Sequence, residues 1–404
     1  MKRLRLQLPF FIAVRTVLNT AYRMVYPFLP VFSRALGVDI GTMSLALTVR
    51  SAAGAAAPLL APLSDRRGRR FGMMLGIGLF TAGAAVPFLG SRWLWFAAAL
   101  VLMTVGKYTF DPAMQAHLGD VVPYAKRGTA MAMAEICWSL AFILGIPAAG
   151  FLIGRFGWRS PFLALACLGF AALVSARFFF GRDGGRTGTA RPAQEAETAG
   201  TGSGGTALAA HVRNYTAVLG SAAALAGLAA ILLASAANET VNVVFGVWLE
   251  DSFGLKITAL GAASAVIGLA EFGGESLIAA TIDRVGKIRA LLIGLAANTA
   301  AVLVLPAAGR STAGAFAGLF VFYLTFEYTI VGVIPVMSEI LVDARATLLA
   351  FNMTAFSAGR ALAAWLSPRL YAAGFPAVAA AAAVLNVLAF LAVLRLRRLT
   401  SRTS

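Results

Sequence analysis

The sequence predicts an all-α membrane protein in which twelve transmembrane helices form two pseudo-symmetric six-helix bundles. Three observations predict this fold class: an apolar composition, twelve apolar runs, and charged landmarks that recur in both halves of the chain. Of the 404 residues, 59% are apolar and 13% are charged, and the mean hydropathy is +0.81. A soluble globular protein carries about a quarter charged residues. The composition therefore excludes a water-soluble enzyme.

The apolar runs are each about as long as a helix needs to be to cross a bilayer, roughly 20 residues. Most are joined by short loops, so consecutive spans must be antiparallel. The runs are 9–32, 42–63, 71–91, 94–118, 129–152, 160–180, 218–248, 257–280, 289–308, 312–336, 347–368 and 374–394.

One long polar segment, 181–215, separates the sixth run from the seventh. It is rich in Gly, Thr, Ala and charged residues, which is typical of a flexible linker. The sequence thus predicts an N-terminal bundle over 1–180, a cytoplasmic linker over 181–215 and a C-terminal bundle over 216–404.

The basic residues predict how the chain lies in the membrane. With the N-terminus inside, 22 Lys and Arg fall on the inner side, 7 on the outer side and 5 within spans. This bias places both termini in the cytoplasm of a multi-pass protein of the inner (plasma) membrane. It also explains the net charge of +17 without a nucleic-acid partner. No small-residue cleavage site follows the first run, so we expect an uncleaved first span.

An internal repeat links the two halves. The chain reads SDRRGRR after the second span and IDRVGK after the eighth, at a constant offset of 218 residues. Asp120 and Glu339 correspond at an offset of 219. Duplicated halves related by an axis along the membrane normal are typical of transporters, whose substrate site lies near the midplane between them. We therefore expect spans 1, 4, 7 and 10 to line the centre.

The stretch Ala61–Arg70, APLSDRRGRR, resembles the loop motif G-x-x-x-D-[RK]-x-G-[RK]-[RK] of the major facilitator superfamily, with Ala in place of the first Gly. This resemblance implies twelve spans and secondary transport by alternating access. In such a loop Asp65 can accept hydrogen bonds from a helix N-terminus in the other half, and the arginines can pair with a carboxylate such as Asp120. The alternative is a solvated basic loop that serves only topology. The predicted cytoplasmic gate comprises Asp65, Arg66, Gly68, Arg69, Asp120, Asp283, Arg284, Gly286 and Glu339.

A second stretch, Gly145–Gly150, reads GIPAAG and is similar to the G-P-x-x-G-G signature of proton antiporters in the same superfamily, with Ile146 interrupting the Gly-Pro pair. The resemblance favours export. The alternative interpretation is a packing face of small residues. Lys107 stands where exporters of the superfamily often carry an arginine.

Ionisable residues within spans are candidates for function because each costs about 2.5–3.5 kcal/mol to insert. The net charge within the spans is +2 in the first half and −3 in the second, so a cavity between the halves would have one basic and one acidic wall. The predicted substrate-binding residues are Asn19, Tyr22, Arg23, Arg50, Lys107, Asn242 and Arg360. The candidate proton carriers are Asp111, Glu135, Glu239, Glu271 and Glu327.

Among these carboxylates the sequence favours Glu135, which lies in the apolar stretch AMAMAEICWSL with no cation within one helical turn. The alternatives are a salt bridge, if Arg15 or Lys107 reaches Glu135 across the helix interface, and a direct contact of Glu135 with the substrate. Lys107 and Asp111, four residues apart, could likewise neutralise each other.

These features predict a monomeric, proton-coupled secondary transporter for a small organic solute that carries an anionic or zwitterionic group, with efflux favoured over uptake. The alternatives are transport of an amphiphile such as a lysolipid, or a non-transporting receptor or assembly factor on the same scaffold. The expected partners are the solute, protons and the lipid bilayer. The sequence contains no phosphate-cradling loop, no Ser/His/Asp constellation and no metal-ligand spacing, so we expect no enzyme, cofactor or metal site.

Overall fold

The computed structural model describes residues 2–56, 68–122, 135–179, 207–341 and 344–400. All regular secondary structure in these residues is helical. The helices of the first half are α1 (Lys2–Arg23), α2 (Leu29–Leu36), α3 (Ile40–Ala55), α4 (Arg69–Ala85), α5 (Trp93–Val121), α6 (Cys137–Phe156) and α7 (Ser160–Phe179). A π-helical turn over Ala141–Gly145 interrupts α6.

The second half begins with a helix inside the predicted linker. The helices are α8 (Ala207–Gly220), α9 (Ala222–Phe253), α10 (Ile257–Val285), α11 (Lys287–Ala308), α12 (Thr312–Ile340), α13 (Arg345–Tyr371) and α14 (Phe375–Thr400). Residues 207–215 are thus helical rather than irregular. The rest of the predicted linker, 181–206, lies outside the described residues.

Nine helices in the described part of the chain are long and apolar enough to cross a membrane: α4, α5, α6, α7, α9, α10, α11, α12 and α14. The other three predicted spans correspond to the α1–α2 pair, to α3 and to α13. Each contains an arginine within its length: Arg15 and Arg50, which are buried, and Arg360, whose side chain is 12% exposed. That these three segments cross the membrane stays a prediction, and so does the total of twelve spans.

The first predicted span is two helices rather than one. Pro27 has no N–H with which to continue the helix onto the Arg23 carbonyl. The Tyr26 N–H bonds that carbonyl instead, at 3.3 Å, and the chain turns over residues 24–28 before α2 begins at Leu29.

Local signals then start the next helix. Gly37, at φ +65°, ends α2 in the left-handed conformation that glycine tolerates. Asp39 caps α3 by accepting bonds from the Thr42 backbone N–H and hydroxyl, and these bonds lower the pKa of Asp39.

The helices pack in the same pairs in both halves. The pairs α4–α5, α4–α7 and α1–α7 of the first half correspond to α11–α12, α11–α14 and α9–α14 of the second. Between the halves, α3 packs on α13 and α6 packs on α10. An axis that exchanges the halves converts one of these two contacts into the other, as expected for a duplicated bundle.

Apolar and charged side chains are distributed as a membrane requires. Large apolar residues such as Phe151, Phe170 and Val304 are about 60% exposed on the outside of the bundle. Arg50, Lys107 and Glu239 are 0–2% exposed within it. We call the end of the bundle that carries residues 37–39 and 254–256 the outer end. The opposite end, where the first helix begins and the last helix ends, is the inner end.

Candidate functional site

Charged side chains from both halves meet near the middle of the spans. Lys107, Glu239 and Glu271 each lie close to the midpoint of their helices, α5, α9 and α10. All three are buried. The midplane expected from the repeat is therefore polar, and its charges come from both halves.

Four side chains, Tyr26, Arg50, Glu239 and Arg360, form what we call the central cluster. The Tyr26 hydroxyl accepts bonds from Arg50 Nη2 at 2.5 Å and from Arg360 Nη2 at 2.7 Å. It donates to Glu239 Oε1 at 2.7 Å. Tyr26 and Arg50 belong to the first half, and Glu239 and Arg360 to the second, so the cluster joins the halves.

The second-half residues of the central cluster, Glu239 and Arg360, bond each other and their neighbours. Arg360 Nε donates to Glu239 Oε2 at 2.9 Å, and Asn242 Nδ2 donates to the same oxygen at 3.2 Å. Tyr323 donates to Asn242 Oδ1 at 2.8 Å. The Glu239 side chain therefore accepts hydrogen bonds from three donors, one of which is a guanidinium group.

Arg50 lacks a carboxylate partner among the described residues. Its Nη1 donates to the Tyr22 carbonyl at 2.8 Å, and its guanidinium stacks on the Tyr22 ring at 4.1 Å. Its Nε is buried without a hydrogen-bond partner in the same part of the chain. The central cluster thus holds two guanidinium groups and one carboxylate, an excess of one positive charge.

A narrow void lies beside Arg50 on its first-half side. It is lined by Leu18, Ala21, Tyr22, Arg50, Leu100, Met103, Thr104 and Lys107. No part of it is wide enough to admit a water molecule. Helices α1, α3 and α5 must therefore move before a solute can reach the guanidinium from this side.

The other first-half cations have carboxylate partners. Arg15 bonds Asp111 at 3.1 Å and both oxygens of Glu135 at 2.7 and 3.2 Å. Lys107 forms an ion pair with Asp111. The structure thus brings Arg15 to Glu135, and the salt bridge left open by the sequence is present. The Glu135 side chain is also 41% exposed.

Arg23 spans the two halves. Its Nη1 lies 2.6 Å from both carboxylate oxygens of Glu271 on α10. Its guanidinium also stacks on Trp138 of α6 at 4.4 Å, and Lys107 Nζ lies 4.6 Å from the same ring. Arg23 therefore pairs with an acid of the second half and shares the Trp138 ring with Lys107, which in turn lines the same void as Arg50.

Two second-half carboxylates, Glu275 and Glu327, have no ion pair or hydrogen bond within the described ranges. A Cβ placed on Gly274 would lie 2.9 Å from the Cβ of Glu327, so Glu327 is at the contact of α10 and α12. Glu271 and Glu275 are near enough for their negative charges to repel a charged Glu327. Of these second-half acids, Arg23 pairs with Glu271.

The remaining predicted residues lie close to these groups. Asn19, fully buried, donates to Cys137 Sγ at 3.2 Å. Tyr22 supplies the carbonyl and ring that hold Arg50. In the described part of the chain, no group of three His, Cys, Asp or Glu side chains could hold a metal ion.

Comparison with known proteins agrees with this geometry. A sequence model of the Major Facilitator Superfamily matches residues 12–338. The chain belongs to the major facilitator superfamily. An uncharacterised transporter of this superfamily in Bacillus subtilis (strain 168), YwfA, is 26% identical over 91% of the chain and 86% of its own length. The inner membrane transport protein YdhP of Escherichia coli (strain K12) is 32% identical over 42% of the chain and 43% of its own length.

Solved structures share the fold. A D-xylose-proton symporter superposes with a TM-score of 0.73 at 15% identity and covers 96% of each chain. A peptide transporter of the POT family gives the same TM-score at 15% identity, with 97% of this chain and 95% of that chain covered. The protein is therefore a superfamily transporter and not an enzyme.

The superfamily loop motif is visible in part. Gly68 and Gly286, 218 residues apart, adopt φ +92° and +87° and begin α4 and α11. Only glycine takes this conformation without strain, so the repeat extends to the backbone. Lys287, the counterpart of Arg69, forms an ion pair with Glu339. Asp283 and Arg284 lie at the end of α10.

Some gate residues fall outside the described part. Asp65 and Arg66 lie in 57–67, and the side chain of Asp120 is likewise outside it. The expected pairing of Asp120 and the latch formed by Asp65 are therefore still predictions for this member of the superfamily.

The antiporter-like stretch lies where the halves pack. Added Cβ atoms at Gly145 and Gly150 would lie 1.9 Å from Thr20 Oγ1 and 2.9 Å from Phe28 Cζ. Across the halves, a Cβ on Gly261 of α10 would lie 3.3 Å from Pro147 Cα. The stretch thus packs closely against α1, the turn after it and α10.

Several residues of the site were missing from the predicted set, among them Tyr26, Trp138 and Tyr323. Tyr26 lies one turn after Tyr22 and directly before Pro27, so the spacing and the helix-breaking proline were available signals. Aromatic residues are common in apolar spans, so nothing marked Trp138 or Tyr323 as polar contacts.

Proposed function

We propose that this transporter moves a small organic solute with an anionic group by alternating access, and that Arg50 binds the anion. The observation that carries the proposal is the buried guanidinium of Arg50, which has no carboxylate partner in the described chain and lies where the halves meet. An uncompensated buried charge costs several kcal/mol. A solute carboxylate, sulfonate or phosphate at Arg50 would supply the missing charge.

The contrast with the other cations supports this choice. Arg15, Arg23 and Lys107 each have an acidic partner at bonding distance, so an anion would have to compete with a carboxylate there. At Arg50 it competes only with neutral oxygen atoms of Tyr22 and Tyr26. Arg360, already paired with Glu239, would add long-range attraction.

We propose that transport is coupled to protons and that Glu327 carries the proton. The charged form of a carboxyl group within a span is costly unless a cation answers it. Glu239, Glu271, Asp111 and Glu135 each have a cationic partner, whereas Glu327 has none in the described residues. A proton-coupled structural neighbour, the D-xylose-proton symporter, supports this mode of energisation. Export is the direction proposed from the Gly145–Gly150 stretch.

The test is transport by purified protein in proteoliposomes across a panel of organic anions, with and without a pH gradient. Arg50→Gln should weaken binding of the transported anion by about 1.5–3 kcal/mol, the range for charge-assisted bonds, or roughly 10- to 150-fold. Arg50→Lys should recover part of this loss because it restores the charge but not the planar fork. Arg310→Gln, an exposed substitution at the outer end, is the control. If Arg50→Gln handles every anion as the wild type does, the proposal fails.

A second candidate, transport of an amphiphile, is supported by a groove at the outer end between α3 and α13. The groove has a volume of about 690 Å³ and is lined by Leu45 and Trp365 together with Asp39 and Arg369. It combines apolar walls with one cation, Arg369, and one anion, Asp39. Long-chain anions in the same panel separate the two candidates, because Trp365→Ala should impair only their transport.

A further inference from the structure

The Tyr26 hydroxyl is the single group that contacts both arginines and the carboxylate of the central cluster. A hydroxyl can donate one hydrogen bond and accept two. Tyr26 uses all three, because it donates to Glu239 and accepts from Arg50 and from Arg360. Any further donor to this hydroxyl must therefore replace one of the two arginines, and Tyr26 cannot bond a new acceptor without releasing Glu239.

The bonds of Arg50 show where a new partner would bind. A carboxylate that grips the side of a guanidinium takes one N–H from Nε and one from Nη2 on the same edge. In Arg50 the Nε is without a partner among the described residues, and Nη2 is bonded to the Tyr26 hydroxyl. An anion that uses this edge thus meets one empty position and one held by Tyr26.

The backbone around Tyr26 connects this bond to the contact between the halves. Tyr26 lies in the turn between α1 and α2, where its carbonyl and that of Pro27 abut Gly246 of α9. One turn beyond Gly246, Glu250 forms an ion pair at 2.8 Å with Arg34 of α2. The outer end of the first span is therefore held against the second half through the same turn that carries Tyr26.

We propose that an anion entering the Arg50 site displaces the Tyr26 hydroxyl from the central cluster, so that Tyr26 also loses Glu239 and Arg360, and that this loss releases the first half from the second at the outer end. Tyr26 is in this role a positioning residue, which keeps Arg50 tied to Glu239 and Arg360 until the solute arrives. The inference rests on the proposed anion site, since Arg50 must be the group that the solute binds.

The test measures the distance between the outer ends of the halves without any solute. Spin labels on cysteines placed at Leu89 and Arg310, both exposed, report this distance in protein whose exposed Cys167 is replaced by Ser. Tyr26→Phe removes the hydroxyl and should shift the distribution to longer separations. Arg50→Gln breaks the same bond from the other side and should give a similar shift, which guards against a folding defect peculiar to one variant.

The matched control is Tyr328→Phe, which also removes a buried hydroxyl, bonded to Thr281 and away from the cluster. It should leave the distribution as in the wild type. Sodium benzoate, as a probe carboxylate, should shift the wild type towards the Tyr26→Phe distribution and should not shift Tyr26→Phe further.

Two results would overturn the inference. One is a Tyr26→Phe distribution that coincides with that of the wild type. The other is a shifted Tyr26→Phe with no response of the wild type to benzoate, in which case Tyr26 only braces the fold. Failure of the anion site itself would appear separately, as unchanged transport by Arg50→Gln.

Discussion

At the scale of single residues, the charged side chains within the spans differ in the partners they contact. Arg15, Arg23, Lys107 and Arg360 meet carboxylates, and Arg50 meets neutral oxygens. In a medium of low polarity a paired ion is part of the scaffold, whereas an unpaired ion has capacity for a ligand or a proton. The same distinction separates Glu327 from Glu135.

Glu327→Gln should abolish transport driven by a pH gradient while exchange of solute between the two sides continues. The amide cannot release a proton but keeps the shape of the side chain. Glu135→Gln is the matched control: since Glu135 is held by Arg15 and half exposed, its loss should cost about 0–1 kcal/mol of stability and leave the gradient response intact. Both are measured in proteoliposomes with the gradient applied or collapsed. A gradient response that survives in Glu327→Gln and disappears in Glu135→Gln would return the role to Glu135.

At the scale of elements, the break in the first span places the site. Pro27 interrupts the helix, and the turn over 24–28 brings Tyr26 against Arg50, Arg360 and Glu239. Irregular backbone at membrane depth is tolerated where it is buried in protein, and discontinuous helices often mark the binding sites of transporters. The close approach of this turn to α9 requires a residue without a Cβ at Gly246.

Gly246→Ala should therefore destabilise the protein by about 1–3 kcal/mol, the cost of overpacking, and should slow transport. The added methyl group would lie 2.7 Å from the carbonyl oxygens of Tyr26 and Pro27, so α9 and the turn must move apart. Thermal unfolding in detergent measures the first effect and solute uptake the second.

Gly78→Ala is the matched control, since no atom lies within 4 Å of a Cβ built on Gly78 in α4. It should leave stability unchanged or raise it by up to about 1 kcal/mol through helix propensity. Equal melting temperatures for Gly246→Ala and the wild type would show that the turn and α9 are not in the tight contact described.

At the scale of the whole molecule, the two halves are joined by a few polar links and two symmetric helix contacts. Arg23–Glu271, Arg34–Glu250 and the Tyr26 bonds cross between them, and Thr354 on α13 donates to the Ala55 carbonyl at 3.3 Å. These bonds can be exchanged without unfolding either bundle. Such an interface suits rigid-body rocking of one half against the other.

The orientation in the membrane is a prediction at this scale. With 22 basic residues on the inner side and 7 on the outer, the inner end should face the cytoplasm. In a Cys167→Ser background, a membrane-impermeant thiol reagent should label Arg310→Cys in intact cells and Arg284→Cys only after permeabilisation. Both positions are exposed. Labelling in the reverse pattern would invert the topology.

The sequence by itself determined the class of fold, the boundaries of most spans and the repeat. These depend on local composition, on the length of apolar runs and on the spacing of motifs, all of which can be read along the chain. It also selected the intramembrane charges as candidates, because insertion cost depends on residue type and depth.

Only the tertiary structure decided which charge meets which. Arg15 reaches Glu135 across 120 positions of sequence, and Arg23 reaches Glu271 across 248. Pairing depends on how helices are rotated and packed, and a shift of about one residue turns a side chain by 100° around its helix axis. For that reason the sequence left open whether Arg15 or Lys107 reaches Glu135, and Tyr26 was left out of the predicted site. What singles out Arg50 is that no carboxylate among the described residues pairs with it, and its surroundings exist only once both bundles are packed together.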